Sequence, residues 1–388
     1  MNVSEEGSPG SIDRRGLRAA IGDRTLLEIM IVTTAVVVLS AIVHSSSSQP
    51  NIYSDITSFW GRREVAEALI PYVDFVFEYP QLCGLITYAS ASIGRTPQAY
   101  YALMSFFLYL FTMGSAVLTY LIAKRSGFDT SRIYRYFLLA PSMIIYLVYN
   151  FDIINTFFVL LALYTFQRGK TRLSAASIGL GVLSKLTPVL LIPIFAQKLK
   201  TWRQQLVFVA IAVAIPVLAN APIAAVSFEN WWGGYKWHID WGLENSWLVF
   251  LFPDSGSWDT AKLLSDILIL LVVARVIVWK NDDLIQKSFA MLGGFLLATY
   301  VYTPQMNLML FPFFVLSSES LLLFYPWELA NAFIILSWFT VPTPPGPTAA
   351  YTTPQWSALV RALLLLLILA QVTKVRGRTL LNWVTSKW

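Results

Sequence analysis

The sequence predicts an all-α integral membrane protein, a polytopic bundle of about twelve transmembrane helices. Of its 388 residues, 56% are hydrophobic and only 13% are charged, whereas soluble domains carry about 25% charged residues. Mean hydropathy is +0.60. Most of the 28 Lys and Arg residues lie in short loops between long apolar runs. These observations exclude an ordinary soluble globular protein.

The first predicted span covers residues 25–45 and follows a head that contains Arg14, Arg15, Arg18 and Arg24. A cleavable signal peptide would have a shorter apolar core and an A-x-A-like cleavage site. The segment lacks such a site, so we expect an uncleaved anchor preceded by a cytoplasmic segment, residues 1–24.

A transmembrane helix needs about 20 mostly apolar residues, and eleven more stretches approach this requirement. They are residues 98–123, 134–149, 152–168, 172–184, 187–197, 204–226, 262–280, 287–302, 306–320, 322–341 and 356–374. The two stretches 172–184 and 187–197 are short, and they could instead form one long helix that is broken at 184–188.

Charge favours the twelve-span interpretation, because Lys and Arg accumulate in short cytoplasmic loops. With the N-terminus inside, the basic loops become cytoplasmic, as does the tail 375–388. Residues 80–94 then fit a membrane-surface or re-entrant helix better than an additional span, which would move two basic clusters outside. Both termini are therefore predicted to be cytoplasmic.

The long irregular segments fall on the extracytoplasmic side under this topology. They are residues 46–97, 227–261 and the proline-rich turn 342–355. The chain thus divides into a transmembrane module 25–226, which includes the large first outer loop, a second large outer loop 227–261, and C-terminal helices 262–374. Because function concentrates in loops on a rigid scaffold, we expect the active site on the extracytoplasmic face.

Several classes of function leave no trace in the sequence. No glycine-rich phosphate loop and no HExxH motif occurs, and the single cysteine, Cys83, permits no thiolate cluster. The net charge of +6 is spread over membrane loops, so a nucleic-acid partner is not expected. No cofactor and no metal site is predicted, and dependence on a divalent cation stays open.

Ionisable groups at the edge of apolar segments are candidates for function. Asp55 follows the anchor closely, and a carboxylate against apolar surface suits a general base because its pKa can rise toward neutrality. Asp152 stands at the outer end of a span, where it could also be a helix N-cap. Lys185 lies at membrane depth and needs an anion, which a lipid phosphate or the headgroup region could supply.

The second outer loop is dense in aromatic residues beside Lys236, His238 and Asp240. Such a pattern suits either an interfacial aromatic belt or a platform for a sugar and its phosphate. Metal ligation by His238 with Asp240 is a weak alternative, since the spacing matches no strong metal signature.

Taken together, these residues resemble the integral-membrane GT-C glycosyltransferases, most closely the polyprenol-phosphate-mannose-dependent mannosyltransferases of glycosyltransferase family 87 and more distantly GPI mannosyltransferase I. The likeness covers roughly residues 25–310 and rests on motifs in the family's order. These motifs are residues 53–56 (YSDI), 71–74 (PYVD), 78–82 (EYPQL), 185–188 (KLTP), 238–246 (HIDWGLENS) and 303–305 (TPQ).

The resemblance implies a GT-C-like fold in which Asp55 is the catalytic base. Cations for the donor phosphate are Lys185, Lys236 and His238. Residues for binding sugar or acceptor are Asp74, Glu78, Tyr79, Asp152, Asp240, Glu244 and Gln305. Two departures matter: Trp241 stands where the family often has Arg, and Thr57 stands where the GPI enzyme has a second Asp.

The implied reaction is an inverting transfer of a hexose, with mannose favoured, from a polyprenyl-phosphate donor to a lipid-linked or glycan acceptor. Cations near the phosphate would stabilise the charge it gains on leaving. A secondary transporter or flippase of lipid-linked sugars is the alternative, because it also uses broken helices and charged residues within the membrane. A non-catalytic membrane scaffold is a third possibility.

Overall fold

The computed structural model describes residues 23–45, 52–317 and 322–373, and within them the chain is helical without a named β-strand. Predictions for the N-terminal segment and for the tail 375–388 fall outside these residues. The α-helices are α1 (Arg24–His44), α2 (Asp55–Phe59), α3 (Arg63–Ala66), α4 (Gln81–Gly94), α5 (Pro97–Ser126), α6 (Pro141–Tyr146), α7 (Asp152–Gln167), α8 (Thr171–Val182), α9 (Ile192–Ala196), α10 (Trp202–Val226), α11 (Phe228–Asp240), α12 (Trp258–Val278), α13 (Leu284–Ala298), α14 (Phe311–Val315), α15 (Phe324–Trp338) and α16 (Thr353–Val372).

Four of these helices, α1, α5, α10 and α16, are long and apolar enough to cross a membrane. The protein is therefore a helical membrane protein, as the sequence predicts. The other apolar helices are shorter or, in the case of α12, carry several charged residues, so the count of twelve spans stays a prediction. The stretch 80–94 forms α4, as expected for a separate short helix, and it packs against α5.

The ends of α5 show how local sequence sets helix length. Thr96 precedes the helix, and its hydroxyl accepts a hydrogen bond from the Ala99 N–H at 3.2 Å, while Pro97 occupies the first turn. At the other end Gly127 takes a left-handed conformation with φ of +76°, which glycine adopts at little cost. A capped start and a glycine stop thus bound 30 apolar-rich residues.

Three predicted spans are not continuous α-helices, because proline interrupts their backbone hydrogen bonds. Stretch 134–149 consists of a π-helical turn, Tyr134–Leu138, followed by α6, which starts at Pro141. Stretches 187–197 and 306–320 each begin as a 3₁₀ segment, Thr187–Leu191 and Pro304–Met309, before a short α-helix.

Helix packing gives the bundle two distinct ends. Helices α5, α7, α8 and α10 pack in succession, and α15 packs on α16. The loops rich in Lys and Arg lie at one end of the bundle. At this end Lys124 forms an ion pair with Asp23 at 2.6 Å, and Lys198 forms an ion pair with Asp282 at 2.9 Å. The other end contains Asp55, which lies between α1 and α5, and the start of α7. We call that end the site end.

Candidate functional site

Asp55 is the first residue of α2, a single short turn that is fixed against the segment before α7. The Ser54 hydroxyl donates to the Val148 carbonyl at 2.9 Å and accepts from the Ile56 N–H at 3.2 Å. The Ile56 N–H also bonds the Tyr149 carbonyl. This pinning fixes where the Asp55 carboxyl points.

Asn150 and Tyr79 both donate hydrogen bonds to the Asp55 carboxylate. Asn150 Nδ2 lies 2.7 Å from Asp55 Oδ2, and the Tyr79 hydroxyl lies 3.2 Å from the same oxygen. Asn150 Nδ2 also lies 2.7 Å from the Tyr79 hydroxyl, so the three groups form a triangle. Burial raises the pKa of Asp55 to about 6, although hydrogen bonds from Tyr53 and Tyr79 oppose the shift. A carboxylate with this pKa can accept a proton near neutral pH.

Glu78 lies beside this triangle and is held by Arg62. Arg62 Nη1 donates to Glu78 Oε2 at 2.6 Å, and Nη2 donates to the other carboxylate oxygen. The guanidinium also lies over the Phe59 ring, 5.1 Å from its centroid. The negative charges of Glu78 and Asp152 both contribute to the raised pKa of Asp55.

Lys185 forms an ion pair with Asp152, the first residue of α7. The Asp152 side chain is only 3% exposed. The anion that the sequence required for Lys185 is therefore supplied within the chain. The N-cap alternative for Asp152 is wrong, because Phe151 occupies the cap position and Asp152 lies inside the helix. A paired lysine remains a cation that a phosphate can approach, since a quarter of its side chain is exposed.

Helix α11 brings His238 to Glu78. His238 Nε2 lies 2.6 Å from the Glu78 carbonyl oxygen, which requires Nε2 to be the protonated nitrogen. Partial desolvation lowers the pKa of His238 although the residue keeps an exposed edge, and the positive charge of Lys185 lowers the pKa further. His238 is therefore mostly neutral near pH 7, and it supplies a hydrogen-bonding group there rather than the cation that the sequence suggested.

The close approach of α11 depends on two glycines. A Cβ at Gly234 would lie 2.5 Å from the Phe77 carbonyl oxygen, and one at Gly233 would lie 2.7 Å from Val76. Both distances are shorter than a van der Waals contact. A larger residue at either position would therefore push α11 away from the segment 76–78, which includes Glu78.

Gly234→Ala is expected to destabilise the folded protein by about 1–3 kcal/mol, the usual cost of overpacking. It should also lower the sugar-transfer activity that the motif resemblance implies, because His238 moves away from Glu78. Thermal unfolding and turnover of the purified variant would be compared with those of Gly256→Ala, since a Cβ at Gly256 meets nothing within 4 Å. Equal behaviour of the two variants would show that the contact with Phe77 is unimportant.

Glu244 reaches the site from the loop after α11. Its backbone pairs with the chain at 300–302, with Tyr302 N–H donating to the Glu244 carbonyl at 2.9 Å. The Trp241 indole N–H donates to Glu244 Oε2 at 2.9 Å. Burial raises the pKa of Glu244 to about 7, and the negative charge of Asp55 raises it as well. Trp241 thus serves as a neutral donor to this acid.

Four predicted site residues lie outside the cluster, and three of them are exposed: Lys236, Asp240 and Asp74. Lys236 and Asp240 pair with each other one turn apart on α11, with side chains 60% and 59% exposed. Asp74 is exposed and accepts a hydrogen bond from the Ile70 N–H at 2.7 Å, which closes its own turn. The structure therefore gives Lys236 no contact with the other proposed phosphate ligands.

Gln305 is buried in the 3₁₀ segment Pro304–Met309, which packs on α7. Its Oε1 atom has no hydrogen-bond partner among the described residues. A buried acceptor without a partner is costly, so this amide is available to a ligand hydroxyl or a water.

The structure shows three residues that the sequence did not single out for the site. Asn150 and Arg62 bind Asp55 and Glu78, as described above. Arg361 is fully buried in α16. Its guanidinium donates to Asn331 Oδ1 and the Asn245 carbonyl, each at 2.8 Å, and lies 3.5 Å from the centroid of the Tyr302 ring.

Arg361 thus connects the loop that carries Glu244 to the turn at Tyr302. The signal in the sequence was an arginine inside a 20-residue apolar helix, where a charge is expensive unless it has partners. Its partners come from the loop and from α15, which the linear sequence separates widely.

The cluster at the site end contains seven of the eleven predicted residues. They are Asp55, Glu78, Tyr79, Asp152, Lys185, His238 and Glu244. Within the described residues no group of three or more His, Cys, Asp or Glu side chains has an arrangement suited to a metal ion. Chemically, the cluster offers a carboxylate base near a cation and a second, weakly acidic carboxyl.

Comparison with known proteins covers the cluster from Glu78 onward, and Asp55 lies before the matched residues. No curated protein matches the chain. The sequence profile described as glycosyltransferase family 87 matches residues 77–304, which is more than half of the chain and includes Glu78, Lys185 and Glu244. Family membership favours a transferase over a transporter or a scaffold, and the resemblance stated from the motifs is confirmed: the chain belongs to glycosyltransferase family 87.

Proposed function

We propose that this glycosyltransferase moves a hexose, with mannose favoured, from a polyprenyl-phosphate donor to a lipid-linked or glycan acceptor on the extracytoplasmic face. The basic loops gather at the end opposite Asp55. Because short cytoplasmic loops are enriched in Lys and Arg, this arrangement supports an extracytoplasmic site. The identity of the sugar rests on the family resemblance.

The observation that carries the proposal is the setting of the Asp55 carboxylate. It is pinned by the turn at Ser54 and held by Asn150 and Tyr79. Its pKa of about 6 leaves it mostly ionised at pH 7 and still basic enough to take a proton. The oppositely charged groups that a phosphate needs lie on the neighbouring elements.

In the proposed step the acceptor hydroxyl oxygen attacks the anomeric carbon of the donor sugar. A new carbon–oxygen bond forms there as the bond from the anomeric carbon to the phosphate oxygen breaks. The acceptor proton passes to Asp55, and the bonding electrons leave with polyprenyl phosphate. A single displacement of this kind inverts the anomeric configuration.

Charge that builds up on the leaving phosphate requires nearby donors. Lys185 is the main candidate, with Asp152 holding its ammonium in place. His238 contributes a hydrogen-bonding ring while neutral, and it would contribute charge once a phosphate dianion favours its protonation. Arg62, engaged with Glu78, is a further cation on the same side.

The remaining polar groups suit the sugar hydroxyls. Glu244, with a pKa of about 7, can donate a hydrogen bond when protonated and accept one when ionised. Gln305 offers the acceptor Oε1. Hydrogen bonds of this kind discriminate strongly between sugars, because a mismatch leaves a buried group without a partner.

The proposal is tested by transfer of radiolabelled mannose from synthetic polyprenyl-phosphate-mannose by the purified chain in lipid, with a panel of glycan and lipid-linked acceptors. GDP-mannose is the parallel donor. Transfer of label from the lipid donor alone is the expected result. Transfer from GDP-mannose alone, or from neither donor to any acceptor by folded protein, would overturn the assignment of the donor.

Tyr79→Phe is expected to move the acid limb of the pH profile of kcat/KM to higher pH. The wild-type limb should have its midpoint near pH 6, because the base must be ionised and the pKa of Asp55 is about 6. The Tyr79 hydroxyl stabilises the ionised form, so its removal raises the pKa of Asp55. Tyr109→Phe, a hydroxyl remote from the site, is the control, and an unshifted limb in Tyr79→Phe would contradict the assignment.

A further inference from the structure

A lateral groove of about 1180 Å³ opens between α12 and α16, with α13 as its floor. Its walls are mostly aliphatic, with Leu268 and Leu271 on α12 facing Leu363 and Leu366 on α16. None of the clustered site residues lines it. The groove is therefore a separate feature that the transfer reaction does not explain.

Small residues on one face of α13 make the groove deep. Ala290, Gly294 and Ala298 line it at intervals of four residues, one turn beyond Gln286, and residues four apart lie on the same face of a helix. A Cβ at Gly294 would lie 2.6 Å from Val272 on α12. Helix α12 can therefore pack this closely against α13 only because residue 294 is a glycine.

The length of this floor matches one leaflet of a bilayer. From Gln286 to Ala298 the helix rises about 18 Å at 1.5 Å per residue, which is roughly half of a 30 Å hydrocarbon core. A single acyl chain of a glycerophospholipid fits a groove of this length, whereas a full-length transmembrane segment does not.

The polar end of the groove is positively charged. Arg275 and Lys280 line it and are both exposed. Asp282 lies there too, but it pairs with Lys198 at 2.9 Å, and Asp283 accepts from the Ile285 N–H as the cap of α13. No acidic side chain among residues 23–45, 52–317 and 322–373 forms an ion pair with Arg275 or Lys280.

We propose that the groove binds an anionic glycerophospholipid from the leaflet at the end opposite the site. The lipid phosphate lies between Arg275 and Lys280, and one acyl chain follows the floor from Gln286 toward Ala298. A zwitterionic lipid binds more weakly there, because its own cation opposes the two basic side chains. The lipid fills space between α12 and α16 that side chains leave open.

The test uses the purified full-length chain in detergent with phosphatidylglycerol and phosphatidylcholine of identical acyl chains, with binding followed by native mass spectrometry. The double variant Arg275→Gln/Lys280→Gln removes the charges. Arg172→Gln/Arg203→Gln is the matched control, since both arginines are exposed at the same end of the bundle. Leu363→Trp narrows the groove from an exposed wall position without altering charge.

We expect wild-type protein to prefer phosphatidylglycerol, and Arg275→Gln/Lys280→Gln to bind it about 25-fold more weakly, since each basic residue contributes a factor of about five near anionic lipid. Leu363→Trp should reduce binding of both lipids, and the control should bind as wild type does. Equal affinity of wild type for both lipids would overturn the proposal. So would unchanged binding in the double variant, or displacement of phosphatidylglycerol by equimolar polyprenyl phosphate, which would assign the groove to the donor.

Discussion

Asp55→Asn is expected to lower the turnover of sugar transfer by about 10²- to 10⁴-fold, the range that general-base catalysis contributes. The substitution keeps the size of the side chain and its place at the start of α2. The amide of the introduced asparagine cannot take the proton from the hydroxyl of the sugar acceptor. The attacking oxygen therefore stays a neutral hydroxyl. The measurement is initial rate with saturating lipid donor, using variant protein whose thermal unfolding matches that of the wild type.

The matched control for Asp55 is Glu67→Gln. Glu67 is an exposed acid in the same outer segment, and it forms an ion pair with Arg63, one turn away. It should therefore keep near wild-type turnover, since exposed pairs contribute little. If folded Asp55→Asn turned over at nearly the wild-type rate, Asp55 would not be the base, and Glu244 would become the next candidate.

Arg361→Met is expected to destabilise the folded protein by about 3–5 kcal/mol and to lower transfer activity about a hundredfold. The substitution leaves the Asn245 carbonyl and Asn331 Oδ1 without their donor in a fully buried setting, and buried acceptors without partners cost about 1–3 kcal/mol each. The Tyr302 ring also loses its cation. Activity falls because the loop carrying Glu244 is no longer held in place.

Arg361→Lys separates the charge from the geometry. Lysine keeps the positive charge but lacks the planar fork that reaches several acceptors at once, so we expect a partial loss of stability and of activity. Arg172→Met is the control, because Arg172 is exposed at the start of α8. Wild-type unfolding and turnover in Arg361→Met would show that the buried network does not support the site.

The sequence predicts the class of fold because apolar runs are a property of consecutive residues. Helices α1, α5, α10 and α16 follow directly from hydropathy and length. The broken stretches are harder, since a proline such as Pro188 or Pro304 marks a break without specifying whether the chain continues as a 3₁₀ segment or a turn.

Site residues could be predicted individually, but their partners could not. Lys185 stands out as a cation within an apolar stretch, yet its ion pair with Asp152 joins residues 33 positions apart. Arg361 stands out for the same reason, and its partners lie 30 or more positions away. Contacts of this range depend on how the helices pack.

The sequence contained an indication that Lys236 and Asp240 pair with each other outside the cluster. Lys236 and Asp240 are four residues apart, and oppositely charged side chains at this spacing face each other on a helix. Their exposed pairing on α11 was therefore available from the sequence once the segment was recognised as helical. His238, between them, points to Glu78 because it lies on a different face of the same helix.

Sugar transfer in the proposed reaction is a single displacement at the anomeric carbon, with Asp55 as base. It is tested by the configuration of the product formed from a synthetic lipid donor of one defined anomer, determined by NMR coupling at the anomeric carbon. Complete inversion is the expected result. Retention would contradict it, because retention requires a second displacement through a glycosyl-enzyme or equivalent intermediate.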